Sequence, residues 1–394
     1  MDDIVDIERS PSIVDEYKAY CESLKASCNY RVLQDDIDGD AIDFSTNDYL
    51  NLSKNPEILH AACEAGMKYG CGATGSRLLS GNRNIFCEFE EQIVHDKKTE
   101  SAMIFCSGYQ ANLTVLSALC DKKIFNAAGK QAILFFDKLN HESLYKAAQL
   151  TSAKLERYRH NDTKMLENLL KKYEDKKFAK FIVSETVFGM DGDFADLQTL
   201  INLSQKYNAL LYLDEAHATG VFGIHGYGLS TDFDLKNINA VVMGTFSKAA
   251  GVSGAYIACS KNIKDYLLQK CAGFIYSTAP SPMIIGAARK SWEIIGKMDK
   301  ERKILLSLSE YFRKSISHNF DTMNFQTNII PIRMQSSEHA IRYKKYLLDK
   351  KIIVSALRQP TVSIPRLRIE ITLAHSKKDI DNLLNAMSEP LTSW

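Results

Sequence analysis

The chain has 394 residues, more than one ordinary domain holds, so a large domain with smaller attachments is the first expectation. Charged residues make up 25%, and 49 Lys+Arg against 48 Asp+Glu leave a formal net charge of +1. So even a balance gives no field for steering onto nucleic acid or an anionic membrane, which argues against both as partners. Nine cysteines form no C-x-x-C pair and none has a histidine at metal-ligand spacing, so they read as reduced, mostly buried small apolar residues, with no metal implied. The acidic start MDDIVDIERSPSIVDEY lacks the apolar core of a signal peptide, and no apolar run approaches the roughly 20 residues that span a bilayer, so the cytoplasm is the expected compartment.

In chain order, residues 1–60 hold a polar helical segment and then the strand-and-turn pattern DFSTNDYLNLS. From about residue 85, apolar runs alternate with segments of helical period. SAMIFC (101–106) precedes YQANLTVLSAL, AILFFD (132–137) precedes HESLYKAAQL, and FIVSET (181–186) precedes DLQTLINLSQKY. ALLYLDEAH (209–217), NAVVMGTFSK (239–248) and GAYIACS (254–260) continue the series. Continuous apolar strands separated by helices predict an α/β fold, a mostly parallel sheet covered on both faces. After Pro282 one long helical stretch is predicted over 283–318, then the strands NIIPIRM and RLRIEITLA around the helical EHAIRYKKYLLDKK. These outline a smaller α+β C-terminal domain. The expected boundaries are an N-terminal segment 1–58, a large domain 59–290 and a small domain 291–394.

Taken singly, a lysine is a solvated surface group. Lys248, however, ends a buried strand between small residues in VVMGTFSKAAGVSG, where loss of hydration lowers its pKa and frees the amine as a nucleophile. Thr245 and Ser247 beside it offer hydroxyls to a phosphate. Asp214 ends the strand ALLYLDEAH, in the crevice where open α/β sheets bind ligands, and an aspartate facing a pyridine nitrogen would keep that nitrogen protonated. His217 lies three residues on, within reach of a phenolic oxygen on such a ring. In FCSGYQANL (105–113) the backbone N–H groups of Gly108 and Tyr109 open a helix, a natural anion site. His141, just after the next strand, is a flat ring able to stack on a pyridine. GCGATG (70–75) matches the dinucleotide fingerprint literally, but a helix rather than a strand is predicted before it, so it reads as a loop packed close to the site.

With these residues in hand, the chain resembles the α-oxoamine synthases, fold-type I transferases that use pyridoxal 5′-phosphate (PLP). The resemblance runs from about residue 40 to 385, through FSTNDYLNLS, GATGSRLLSGN, FCSGYQANL, HNDTKMLENLL, SETVFGMDGDFADL, LDEAHATGVFGIHGYG, GTFSKAAGVSGAYIACS, FIYSTAPSP, RQPTV and RLRIEITLAH. It implies that Lys248 carries the cofactor as a Schiff base and later moves the Cα proton. Asp214 would pair with the ring nitrogen, His217 with the phenolic oxygen, and His141 would stack on the ring. Gly108, Tyr109 and Thr245 would hold the phosphate, with Thr278 of IYST reaching the phosphate of the neighbouring subunit. Glu185 and Asn47 match positions lining the site. Arg368 matches the residue that pairs with the amino-acid carboxylate, a task suited to a bidentate guanidinium. Arg31 resembles an N-terminal arginine near the substrate entrance.

Within the family the chain is most similar to the branch that condenses L-alanine with a pimeloyl thioester, carried on CoA or acyl carrier protein, in a homodimer with shared active sites. The alternatives are a relative using glycine and acetyl-CoA, another acyl-CoA, or a non-catalytic partner subunit. Lys248, Asp214 and His217 are all present, which argues against the last. The chain departs from the family pattern at Asn51, usually glycine, at Phe86, commonly histidine, and in the shortened SIP segment (363–365) before Arg366. Lying near Arg368, SIP is the departure expected to bear on substrate preference.

Overall fold

The computed structural model describes residues 12–33, 39–174, 177–316, 320–323, 325–359 and 361–388. The acidic start read for a signal peptide falls largely outside these, as do Pro360 of RQPTV and the end of the predicted 283–318 helix. The first described element is the helix Ile13–Ala26, where Ser12 and Asp15 form a reciprocal capping box. The short strand β1 (Ile42–Asp43) follows, then the helices Pro56–Tyr69 and Asn84–Lys97.

Seven strands then build the central sheet: β2 (Ser101–Phe105), β3 (Gln131–Asp137), β4 (Lys154–Tyr158), β5 (Phe178–Glu185), β6 (Leu210–Asp214), β7 (Ala240–Thr245) and β8 (Ala255–Cys259). Their spatial order is β2-β8-β7-β6-β5-β3-β4. Every pairing is parallel except those of β8, which runs against both β2 and β7. GAYIACS thus joins the sheet in the opposite sense to its predecessors, because only a short turn separates it from β7. Along the strands alternate residues face two separate cores. Ile133, Phe135, Leu211 and Leu213 pack on one side, while Leu134, Phe136, Tyr212 and Met243 pack on the other. Burial on both faces explains why the strands read as unbroken apolar runs.

The small sheet contains β9 (Ile329–Arg333); after the helix Ser337–Asp349 come β10 (Ile352–Ile353), β11 (Ser355–Leu357) and β12 (Arg366–Glu370). It is antiparallel in the order β11-β12-β9, while β10 pairs in parallel with β1 and so ties the N-terminal part to the C-terminal one. Three expectations need correction. The stretch 283–318 is two helices, Pro282–Ile295 and Asp299–Ser315, broken at Gly296. The edge strand β4 was not expected, because its sequence KLERY is polar, as suits a strand with one edge and much of its surface in water. All nine cysteines are free, but only Cys120, Cys259 and Cys271 are buried; Cys63 and Cys87, for example, lie on solvent faces of helices.

Behind the carboxyl edge of the sheet, Lys97 and Glu215 form a fully buried ion pair. The ammonium also donates to the carbonyl of Tyr227 and the hydroxyl of Ser230, both at 2.7 Å, which uses all three of its donors. The second carboxylate oxygen of Glu215 accepts from the amide of Ser230 at 2.6 Å. Since Glu215 directly follows Asp214, the pair pins the end of β6. Lys97→Met is expected to leave that carboxylate buried without its cation, at a cost of about 3–5 kcal/mol measured by urea unfolding. A loss below about 1 kcal/mol would show that the site relaxes or hydrates instead.

Candidate active site

The carboxyl ends of β3, β5, β6 and β7 face one crevice, as in other open α/β sheets. Beyond β7 the chain makes a tight turn in which the amide of Gly251 donates to the carbonyl of Lys248 at 2.8 Å. Gly251 has φ +65°, and a Cβ there would stand 2.4 Å from the amide nitrogen of Ser53, so only glycine lets the Lys248 turn seat on the NDYLNLS segment. Lost hydration pushes the Lys248 amine down to about 8, against the opposing pull of Asp214 and then Glu185.

Asp214 is buried, and each of its carboxylate oxygens has one aligned donor. One accepts from the side-chain amide of Asn112 at 2.7 Å, the other from the backbone amide of Ala216 at 2.9 Å. Asn112 itself accepts from the hydroxyl of Tyr212 at 2.9 Å and donates to the hydroxyl of Ser143 at 3.0 Å. Ser143 in turn lies 2.8 Å from Nδ1 of His141. His141 caps the helix Glu142–Gln149 through the same nitrogen and leaves its ring exposed at the crevice. Dehydration lowers its pKa, Asp214 opposing this and Lys248 adding to it. Glu185 lies beside Asp214 in register on β5 and is pushed up by burial and by that like charge.

A second chain of polar contacts crosses from the large sheet to the small one. Nδ1 of His217 lies 2.8 Å from the hydroxyl of Tyr49, which lies 3.0 Å from Oδ1 of Asn47. That same oxygen accepts from the guanidinium of Arg368 at 2.9 Å. Burial, with Lys248 and Arg368 nearby, holds the pKa of His217 well below its usual value, so the ring is neutral. Gly189 packs on that ring: a Cβ there would stand 2.1 Å from Nε2.

The residues fit PLP. At the helix Gly108–Leu119 the hydroxyl of Ser107 caps the amide of Gln110, while the amides of Gly108 and Tyr109 have no acceptor among the described residues. A Cβ on Gly108 would stand 3.5 Å from the side chain of Thr245, so this pair of amides and the Thr245–Ser247 hydroxyls adjoin as a phosphate cradle would require. Tyr109 meets the ring of His141 edge-on at 6.5 Å. Thr278 is exposed beside Cys106, whose thiol reaches the Thr278 carbonyl at 3.6 Å. Among the described residues Arg31 makes no hydrogen bond or ion pair with the cluster. It donates to Thr361 at 3.1 Å on the wall of a separate cavity of about 560 Å³ that Tyr30, Lys344 and Arg358 also line. The GCGATG segment follows a helix and forms a loop whose Gly75 carbonyl accepts from Ala279, next to Thr278. Asn51 adopts φ +54°, the conformation for which glycine is otherwise suited.

Asn112, Tyr49 and Glu370 were not foreseen. Asn112 lies inside the quoted FCSGYQANL, and its amide at helical spacing from Gly108 was the available signal. Tyr49 likewise lies inside NDYLNLS, but its reach to His217 is 168 residues away in sequence and is visible only in three dimensions.

The comparisons with known proteins agree with this geometry. The family model described as aminotransferase class I and II matches residues 39–387. A putative 8-amino-7-oxononanoate synthase of Magnetococcus marinus is 38% identical over 378 residues, 92% of this chain and 94% of that protein. One of Bacillus cereus strain G9842 is 40% identical over 356 residues, 88% of each. Serine palmitoyltransferase from S. paucimobilis, solved with a bound PLP–myriocin aldimine, superposes with TM-score 0.85 at 25% identity over 95% of this chain and 97% of that one. The 8-amino-7-oxononanoate synthase of Francisella tularensis gives 0.74 at 30% identity over 89% and 98%. The chain belongs to the class I and II aminotransferase family and, within it, to the PLP-dependent α-oxoamine synthases. Its fold is the fold-type I α/β architecture and its cofactor is PLP.

Two tests follow from the geometry. Gly189→Ala is expected to displace the His217 ring and weaken PLP binding by about tenfold or more, read by cofactor titration of a protein that still unfolds cooperatively. The hairpin carrying Gly189 is anchored by His160, whose ring nitrogens contact Asp137 at 3.0 Å and Asp193 at 2.9 Å. Burial lowers the His160 pKa, but the two aspartates outweigh it and raise the value to about 10. A folded pKa above the unfolded value stabilises fully below about pH 6.5 and less as pH rises through about 10. Comparing His160→Asn with the native protein across that window checks it: the stability gap should close as pH rises.

Proposed function

We propose that this chain condenses L-alanine with a pimeloyl thioester of CoA or acyl carrier protein, forming 8-amino-7-oxononanoate and releasing CO2 and the free thiol. The observation that carries the reading is a desolvated amine, Lys248, in one charge cluster with Asp214 and the buried guanidinium of Arg368. The relatives named putative 8-amino-7-oxononanoate synthases support the choice of substrates. When bound, PLP supplies an electron sink for the bond cleaved at the amino acid's Cα. The remaining work falls to the chain's own residues. Arg368 binds the carboxylate and so sets which Cα bond faces Lys248. Lys248, whose amine burial shifts down to about 8, takes the Cα proton and can return it, with His141 adjacent.

Asp214, held by Asn112 and Ala216, would pair with the ring nitrogen, and His217 would offer Nε2 to the phenolic oxygen. Gly108, Tyr109 and Thr245 would hold the phosphate, while Glu185 and Asn47 would line the site. The exposed side chain of Thr278, beside the 70–83 loop, suits a contribution to a neighbouring subunit and therefore a homodimer with shared sites. Arg31, in its own cavity, would meet substrate only toward the entrance.

The test is CO2 release from alanine, glycine and serine, each with pimeloyl-, acetyl- and palmitoyl-CoA. Alanine with pimeloyl-CoA should be preferred; a preference of more than about tenfold for glycine with acetyl-CoA would overturn the assignment. Lys248→Ala should abolish both turnover and the band near ~420 nm that marks a lysine–PLP adduct. Arg368→Ala should keep that band and raise KM for the amino acid by about 10- to 100-fold, the worth of one charged hydrogen-bonded contact.

A further inference from the structure

The cluster contains one ionisable group to which the chemistry above gives no role. Glu370 ends β12, is fully buried, and lies two residues from Arg368 on the same face of the strand. Its Oε1 stands 2.9 Å from the guanidinium nitrogen of Arg368 that also serves Asn47. Yet among the described residues neither oxygen of Glu370 has an aligned hydrogen-bond donor, and Nε of Arg368 has no acceptor. The carboxylate is therefore held by opposite charge alone, an arrangement that burial makes costly. Strain in the strand is not the reason: the amide of Glu370 donates normally to the carbonyl of Phe44 at 2.9 Å. The charged groups that bear on it are Arg368 and Lys248, which favour its anion, and Asp43, which opposes it.

Arg368 is the same guanidinium assigned above to the substrate carboxylate, so two carboxylates converge on one desolvated cation. Two anions at that distance repel unless one is neutralised.

We propose that Glu370 is an internal competitor for Arg368: the amino-acid carboxylate occupies the guanidinium only while Glu370 is protonated, and Glu370 reclaims it as an anion once that carboxylate has left as CO2. The inference rests on the reaction proposed above. The bookkeeping closes. When the free site holds ionised Glu370, one proton enters with the substrate carboxylate. CO2 then departs as a neutral molecule, its bonding electrons staying on Cα, and Glu370 returns the proton to solvent. Burial pushes the Glu370 carboxyl up to about 8, so below that pH it is mostly neutral and the competition is weak, and amino-acid affinity is expected to fall as pH rises through it. Glu185 titrates in the same region, so the comparison of native protein with Glu370→Gln isolates the effect.

The experiment titrates the PLP-loaded enzyme with L-alanine between about pH 7 and pH 9, by cofactor absorbance and by calorimetry in two buffers of different protonation enthalpy. Native affinity should weaken up to about tenfold per pH unit above 8, with uptake approaching one proton per alanine. Glu370→Gln should bind about tenfold tighter than native near pH 9 and take up less proton. Alaninol, which lacks the carboxylate, should bind the two proteins alike. Should Gln disturb the core, judged by circular dichroism, Glu370→Thr supplies a second neutral residue. If alanine binds the native protein and the neutral variants match it in affinity and proton uptake, the competitor role is wrong. If alanine, glycine and serine bind neither protein, the proposed function fails along with it.

Discussion

Everything at the carboxyl edge of this sheet depends on keeping two cations, Lys248 and Arg368, and three carboxylates, Asp214, Glu185 and Glu370, largely out of water within one cluster. Any one of them alone would be unaffordable in the interior, since an unpaired buried charge costs several kcal/mol. Together they offset one another, and the fold is what gathers them. Parallel strands all end at one edge, so β5, β6 and β7 bring their terminal residues to one crevice without any contact between them in sequence. The register of β5 on β6 sets Glu185 against Asp214. The small sheet then brings Arg368 and Glu370 from more than 100 residues further on.

The three carboxylates differ in their supply of aligned donors. Asp214 has two, one of them from a side chain that is itself fixed by Tyr212 and Ser143. Among the described residues Glu185 has one, the amide of Gly189 at 3.3 Å, and Glu370 has none. Glu185 and Glu370 are both pushed up. A hydrogen-bonded carboxylate serves as a fixed charge, whereas one held only by a neighbouring cation can exchange its proton when that cation is taken. The site thus holds two kinds of acid, distinguished by backbone and amide geometry rather than by residue type.

Much of this was legible in the sequence because the relevant signals are local. A buried strand is a run of apolar residues, and a polar residue at or just past its end reaches the crevice; this is how Lys248 and Asp214 could be read, while Glu185 came only from the family resemblance. Gly108 and Tyr109 open a helix directly after such a run. What could not be read were partners supplied from a distance. Nothing in RLRIEITLAH distinguishes Glu370 from a surface residue of an exposed strand until β12 is seen between β11 and β9 with its residues buried. The helix break at Gly296 escaped notice because a glycine inside an amphipathic pattern is also compatible with continuous helix.

The contact chain from His217 to Arg368 carries one further consequence. The hydroxyl of Tyr49 has a single proton and two neighbours able to accept it, Nδ1 of His217 and Oδ1 of Asn47. Oδ1 of Asn47 can only accept and has a second lone pair beside the one that Arg368 uses, so its 3.0 Å contact is made with the Tyr49 proton. The neutral His217 ring carries one proton, and a tyrosine donating to Nδ1 leaves that proton on Nε2. An Nε2–H group is what the role proposed for His217, a donor to the cofactor's phenolic oxygen, requires. The role proposed for His217 therefore needs the Tyr49 proton to turn from Asn47 to His217, away from the oxygen that Arg368 also contacts. Substrate and cofactor sites are coupled by the direction of one hydroxyl proton.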